Sequence, residues 1–199
     1  MEHVLLLYNS GVRAEPSQEP RVEVVNPFSA ADVEAILRER GWLVAQATPE
    51  MEAWMRDAAE WLGLQVALHA ANEGRSALAE LLALVFSYDA AKLFENRDNQ
   101  AAMAREGARD VIRELANRVL EGSEIDSERF REIVGALKGI FGSHGRMIFY
   151  PLRLALAGRT GEGELDRVIL LLDRAAKLPF GVRVKGTHRR MLEFCAALS

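Results

Sequence analysis

The 199-residue sequence contains one cysteine, Cys195, and six prolines. A lone thiol excludes an internal disulfide and a Cys-rich zinc site, and it fits a reducing, cytoplasmic compartment. No stretch reaches the roughly 18 consecutive apolar residues of a membrane-spanning helix, so no membrane association is expected. The opening residues, MEHVLLLYNSGV, have an apolar run but no basic lead and no cleavage-type ending, so no signal peptide is expected. A glycine-rich phosphate-binding loop is also missing. The four histidines, His3, His69, His144 and His188, never fall four apart, so no helical metal site is indicated. No pair of carboxylates stands out as an acid/base dyad. No cofactor and no metal is implied.

What is present is a chain with 49% hydrophobic residues and a net charge of −4. That size and composition suit one sizeable domain or two small subdomains sharing a core. The charge is unevenly spread. Residues 1–130 carry 13 Lys/Arg against 23 Asp/Glu, a balance of −10, whereas residues 131–199 carry 12 against 6, a balance of +6. A basic C-terminal third on an acidic chain is the pattern of a localised polyanion site.

The first 28 residues differ from the rest. Val4–Leu7 reads as a short strand and Val22–Val25 as a second extended run, with Pro16, Pro20 and Pro27 breaking the connection. From Ser29 onward the signals are helical. Ser29 caps a helix over Ala30–Arg40 that Gly41 stops. Thr48-Pro49 starts a helix expected to run to Gly63. Ser76 and Glu80 precede the apolar run Leu78–Phe86, and Ser87-Tyr88-Asp89 marks a break. Asp98–Leu120 reads as one long helix ended by Gly122.

Asp126 or Ser127 caps the next helix, whose Phe130, Ile133, Val134, Leu137 and Phe141 keep helical spacing up to Gly142. Pro151 lies within a further helical pattern, where it either kinks the helix or marks its first turn. Leu165, Val168, Ile169 and Leu172 form a buried stripe, and Thr187 caps a last helix through Leu198. Trp54 and Trp61, seven residues apart on one helix face, have core spacing. The expected fold is mainly α: one or two helical bundles with a short irregular or β N-terminal segment. The expected organisation is an extension over 1–28, a helical subdomain over 29–122 and a second over 123–199.

The segment Gly145–Leu172, GRMIFYPLRLALAGRTGEGELDRVILLL, runs an apolar helix into a glycine-rich turn and out through an amphipathic helix. It resembles the last conserved segment of bacterial glutamyl-tRNA synthetases, where a helix ending near PLR-ALTG turns into a helix ending in LLG. Three upstream segments are similar to the same anticodon-binding half: AILRERGW (35–42), AWMRDAAEWLGL (53–64) and RSALAELLALVFSYD (75–89). The resemblance implies the helical anticodon-binding fold of a class I synthetase, with tRNA as the partner. The HIGH-type and KMSKS-type motifs of the family's catalytic half do not occur. The chain is therefore expected not to be an enzyme, but to resemble a free-standing anticodon-binding half that acts beside a separate catalytic protein.

The resemblance also implies positions. The family's turn reaches the last anticodon base, and the matching residues are Glu162, Gly163 and Leu165, although Gly-Glu-Gly stands where the family often has a proline. Its base-reading arginine aligns with Gly74, which leaves Arg75 offset by one. From the residues alone, Arg146, Arg153 and Arg159 lie on or near this segment, and Arg159 and Thr160 belong to its turn, where cations and donors meet phosphates and base edges. Backbone N–H groups at the helix start after the turn suit an anion. Lys185, His188, Arg189 and Arg190 form the densest basic cluster. A helical protein-interaction module that kept this scaffold and lost RNA binding is the alternative.

Overall fold

The computed structural model describes residues 25–69, 74–142 and 145–198. Among them, ten helices form an all-α assembly: α1 (Ala30–Glu39), α2 (Pro49–His69), α3 (Gly74–Phe86), α4 (Ala90–Leu93), α5 (Arg97–Met103), α6 (Ala108–Glu121), α7 (Ser127–Phe141), α8 (Gly145–Ala157), α9 (Glu164–Ala176) and α10 (Thr187–Leu198). No strand occurs among the described residues, and no helix there is long and apolar enough to cross a membrane. The candidate strand Val4–Leu7 and all but Val25 of the run Val22–Val25 lie outside the described residues.

Local signals set several boundaries. Ser29 and Asp32 close a reciprocal capping box, in which the Ser29 N–H donates to the Asp32 carboxylate at 2.8 Å and the Asp32 N–H donates to Ser29 Oγ. The hydrogen bonds from Ser29 hold Asp32 below its usual carboxylate range. Gly41, at φ +70°, ends the turn after α1. Asp126 caps α7 by accepting from the N–H groups of Glu128 and Arg129, and Gly142 at φ +80° closes it.

Other boundaries depart from the sequence reading. The helix expected to stop at Gly63 runs on to His69. Gly63 is there for close approach: a Cβ on it would lie 2.5 Å from Oδ1 of Asn26, whose amide donates to the Ala59 carbonyl. The single helix expected over Asp98–Leu120 is two, α5 and α6, because Gly107 adopts φ +79°, outside the right-handed helical region. Ser76 lies inside α3, which already begins at Gly74. Thr187 is the first residue of α10 rather than its cap, and its hydroxyl donates to Asp173 instead. Pro151 sits in the interior of α8, where it removes the N–H that would bond to the Met147 carbonyl.

The core is organised around α9. Leu165, Val168, Ile169, Leu171, Leu172 and Ala175 are fully buried, and the helix packs against α2, α3, α8 and α10. Each of the Leu, Val and Ile side chains contributes about 1.5–3 kcal/mol through removal from water. Trp54, also fully buried, donates its indole N–H to the Leu171 carbonyl at 3.1 Å. Trp42 stacks on Phe86 with ring centres 4.8 Å apart, and Phe180 meets both Phe86 and Trp54 edge-on. Phe180 comes from the segment after α9, and the next residue ties it down, because Gly181 N–H donates to the Trp42 carbonyl at 2.7 Å. Buried residues from both expected halves, 29–122 and 123–199, meet in one hydrophobic cluster.

Two buried charged groups bind the helices together. Asp173 on α9 accepts from the Ile125 N–H at 2.8 Å, and from the Thr187 N–H and hydroxyl at 2.6 and 2.7 Å. It thereby ties the α6–α7 connection to the start of α10. A Cβ on Gly186 would lie 2.6 Å from the same carboxylate, so the approach requires glycine there. Arg190 on α10 is fully buried and donates to the carbonyls of Leu84 and Val85 near the end of α3, of Leu156 near the end of α8, and of Lys185. These carbonyls include some left unpaired at helix C-termini, where the helix dipole favours a cation. The guanidinium also sits 4.5 Å above the Tyr88 ring, and the Tyr88 hydroxyl donates to the Ala155 carbonyl. Burial pulls the Arg190 guanidinium down to about 9, which leaves it protonated at neutral pH.

Replacing Arg190 with Met strips these carbonyls of their donor. At about 1–3 kcal/mol for each buried group left unpaired, partly offset by the charge no longer desolvated, the expected loss is about 3–5 kcal/mol. Urea denaturation of Arg190→Met checks this, and Arg190→Lys, which keeps the charge without the planar fork, should fall between the two.

Candidate nucleic-acid interface

The turn between α8 and α9 is held from three sides. Gly158 at φ +84° ends α8, its N–H bonding back to Arg153 and Leu154. A Cβ on it would press on the Tyr88 ring at 3.3 Å. Arg153, reaching out from α8, clamps the turn. It grips the Asp166 carboxylate with two bonds of 2.7 and 2.9 Å and donates to the Gly161 carbonyl at 2.6 Å. On one side the turn borders a cleft of about 390 Å³ shared with Ser87, Tyr88, Lys92 and Asn96 from the α3–α5 stretch. On the other side it faces Gln65 of α2 and Ala77, Glu80 and Leu81 of α3.

The sequence candidates fall into three groups. Arg153, Leu165 and Arg190 are buried, and two of them are structural donors. Arg190 belongs to the core instead of the basic surface cluster, since its guanidinium is spent on backbone carbonyls. Arg153 positions the turn and is turned away from solvent. The second group is exposed or half-buried, and paired. Arg75 donates twice to Glu39 of α1, at 2.6 and 2.9 Å, and holds that carboxylate below its usual range. Lys185 and Arg189 both donate to Glu193. Burial pushes Glu193 up, but those two hydrogen bonds outweigh it and hold the carboxyl below its usual range. Arg159 has Glu164 at 3.9 Å.

The third group carries no acidic partner. Arg146 is exposed with no carboxylate partner among the described residues, and the His188 ring nitrogen lies 3.2 Å from the Gly122 carbonyl. Thr160, Glu162 and Gly163 sit on the outside of the turn.

These residues do not share one surface. Arg146 shares a cavity with Ala108 at the start of α6, and His188 touches the residue after its end. A 14-residue helix separates them, roughly 20 Å. Arg75 reaches toward α1, while the turn lies against a flank of α3 about half a helical turn away. The position aligned with the family's arginine, Gly74, has a Cβ direction only 3.1 Å from the Phe28 ring, so a long side chain there would displace Phe28. The start of α9 is also unlike an anion site, because Glu164 and Asp166 occupy its first turn and Glu162 precedes it.

Part of the positive charge that is not neutralised lies elsewhere. In the basic C-terminal third, Arg153, Arg159, Arg174, Lys177, Lys185 and Arg189 have carboxylate partners, and Arg190 is buried. Arg131, Lys138, Arg146, Arg167 and Arg183 have no carboxylate within ion-pair distance among the described residues, and of these Lys138 and Arg146 lie over aromatic rings of α8. Lys138 Nζ is 5.5 Å from the centre of Phe149, and the Arg146 guanidinium is 6.0 Å from that of Tyr150. Arg105, from the α5–α6 connection, meets the same Tyr150 ring at 5.7 Å. The sequence reading missed this strip. Phe149 and Tyr150 look like ordinary apolar positions of a helix, and Arg105 is 45 residues away. The one local signal was two adjacent aromatics beside Arg146.

Arg153→Lys keeps the charge but loses the fork that grips Asp166 and Gly161 together. The expected cost is about 1–3 kcal/mol in urea unfolding. Backbone amides of 159–163 should also exchange hydrogen faster, while those of α9 beyond Val168 stay protected.

Comparison with known proteins gives partial matches. Over 76 residues, 38% of this chain, it is 33% identical to glutamate--tRNA ligase 2 of Syntrophus aciditrophicus (strain SB), where the match covers 16% of that protein. Over 115 residues, 58% of this chain, it is 26% identical to glutamate--tRNA ligase of Bacillus velezensis (strain DSM 23117 / BGSC 10A6 / LMG 26770 / FZB42), covering 23% of that protein. The chain therefore spans less than a quarter of the length of these relatives. No family model matches, and no solved structure matches. Over part of its length, this mainly α chain is similar to glutamate--tRNA ligases.

Proposed function

We propose that this chain is a non-catalytic RNA-binding protein whose ligand is tRNA, used in the manner of a synthetase anticodon-binding region. The observation that carries the reading is the partial similarity to two glutamate--tRNA ligases. The geometry supports it through the rigid α8–α9 turn. Arg153 and Gly158 fix the turn, Arg159 and Thr160 line a cleft that also offers Ser87 and Lys92, and Glu162 lies on the opposite side of the turn toward α2 and α3. Splayed bases are read by such a set, with hydroxyl and guanidinium donors for base acceptors and a carboxylate for an exocyclic amino group. The sequence given has neither catalytic motif of a class I synthetase, so aminoacyl transfer would be the work of a separate catalytic protein.

A second reading is a helical protein-interaction module. It is favoured by the internal pairing of Arg75 with Glu39 and of Lys185 and Arg189 with Glu193, which removes much of the positive surface that RNA requires.

Titration of labelled tRNA at several salt concentrations tests the reading. Affinity should fall as salt rises, with a slope set by the number of phosphates neutralised. Arg159→Ala should weaken binding severalfold. Absence of binding at low salt would overturn the proposal and leave the protein-interaction reading.

A further inference from the structure

We infer that the strip formed by α7, the first half of α8 and the α5–α6 connection is an RNA-binding surface, with Tyr150 as a base-stacking platform and Arg105 and Arg146 as phosphate contacts. This rests on the RNA-binding reading above and goes beyond it, because Arg105 lies outside every segment of resemblance and Tyr150, though within Gly145–Leu172, is not among the positions that the resemblance implies for base reading.

Tyr150 and Phe149 are consecutive on α8, so their side chains leave the helix roughly 100° apart. Tyr150 faces the α5–α6 connection and Phe149 faces α7. Each ring carries exposed cations: Arg105 and Arg146 flank Tyr150 at 5.7 and 6.0 Å, and Lys138 lies 5.5 Å from Phe149. Among the described residues, none of these three cations has a carboxylate within ion-pair distance. Arg131 is seven residues before Lys138 on the same face of α7, and it also lacks a carboxylate partner; its Nε donates to the Ser127 carbonyl. Positive charge therefore continues along the strip for two helical turns.

Beside Tyr150 the surface opens into a cavity of about 150 Å³ lined by Arg105, Arg146, Tyr150 and Pro151, with Glu106 as the one carboxylate at its edge. Two guanidiniums held by one ring repel each other, and an anion between them relieves the repulsion. Phe149 is already covered by the buried, Asp166-paired Arg153 at 4.5 Å, so Tyr150 between its two unpaired arginines is the ring that suits a single-stranded segment, whose bases stack and whose phosphates are spaced along it. The A-form duplex buries its bases and offers no such face. The cations here contrast with Lys185 and Arg189, which Glu193 already holds.

The test is fluorescence anisotropy with tRNA and with a short single-stranded RNA, at several salt concentrations. It uses the wild-type chain, the double variant Arg105→Gln/Arg146→Gln, Tyr150→Leu and Tyr150→Phe. The double variant should bind at least tenfold more weakly at low salt, with the salt slope reduced by about 1.4–1.8. Tyr150→Leu should weaken binding by roughly 5- to 160-fold, and Tyr150→Phe should bind like the wild type. Circular dichroism checks that each variant folds. Should Tyr150→Leu misfold, the two exposed arginines decide the matter.

Wild-type binding that none of these variants weakens overturns this inference and leaves the RNA-binding reading intact. No wild-type binding overturns both. A poly-glutamate peptide that binds through Arg105 and Arg146 while RNA does not overturns the assignment of RNA as the ligand.

Discussion

A buried guanidinium at the junction of three helices sets the geometry on which the rest of this structure depends. Arg190 gathers carbonyls from the ends of α3 and α8 onto α10, and Tyr88 covers it from the α3–α4 connection. Two helices that end side by side present two negative dipole ends to each other. A single cation between them turns that repulsion into cohesion. The consequence lies two residues beyond the Leu156 carbonyl. The α8 end that Arg190 holds is the point from which Gly158 swings the chain into the α8–α9 turn. The candidate base-reading turn therefore projects from a fixed base, and Arg153 closes it on the other side.

Structure and surface charge are linked in the same way. The basic C-terminal third looks in sequence like a ready polyanion site, yet folding spends much of its charge. Arg190 goes to the core, Arg153 to the turn, and Arg174 bonds Asp57 of α2. Lys177 pairs with Glu124, and Lys185 and Arg189 share Glu193. Of what is left uncompensated, Arg131, Lys138 and Arg146 lie on α7 and α8, where aromatic rings take the place of carboxylates as neighbours of Lys138, Arg146 and the nearby Arg105. An exposed cation beside a ring keeps its full charge for an incoming phosphate, whereas one beside a carboxylate must first break that pair.

The features legible in the sequence are those whose causes are local. Ser29 with Asp32, Asp126 and Gly142 mark helix ends through contacts within a few residues, so reading them needs no tertiary information. The buried stripe Leu165, Val168, Ile169 and Leu172 follows from periodicity alone. Features that failed depend on distant partners. Gly63 reads as a stop until Asn26 is seen to cross it, and Gly107 divides one apparent helix because its backbone is left-handed within an unbroken apolar pattern. Arg190 and Arg153 resemble surface residues because a window of sequence shows a charge without the carbonyl or carboxylate that takes it. The helical class and the turn were within reach. The surface that carries free charge was not, because it joins residues from α7, α8 and the α5–α6 connection.

The central claim is that RNA meets this chain along α8 and its turn, and ultraviolet crosslinking of bound tRNA followed by tryptic peptide mapping tests it most directly. Crosslinks should concentrate on the peptide Met147–Arg153, which contains both Phe149 and Tyr150, with a second set on residues 160–167. Crosslinks confined to residues 184–190, or their absence from a complex that forms at low salt, would contradict the account.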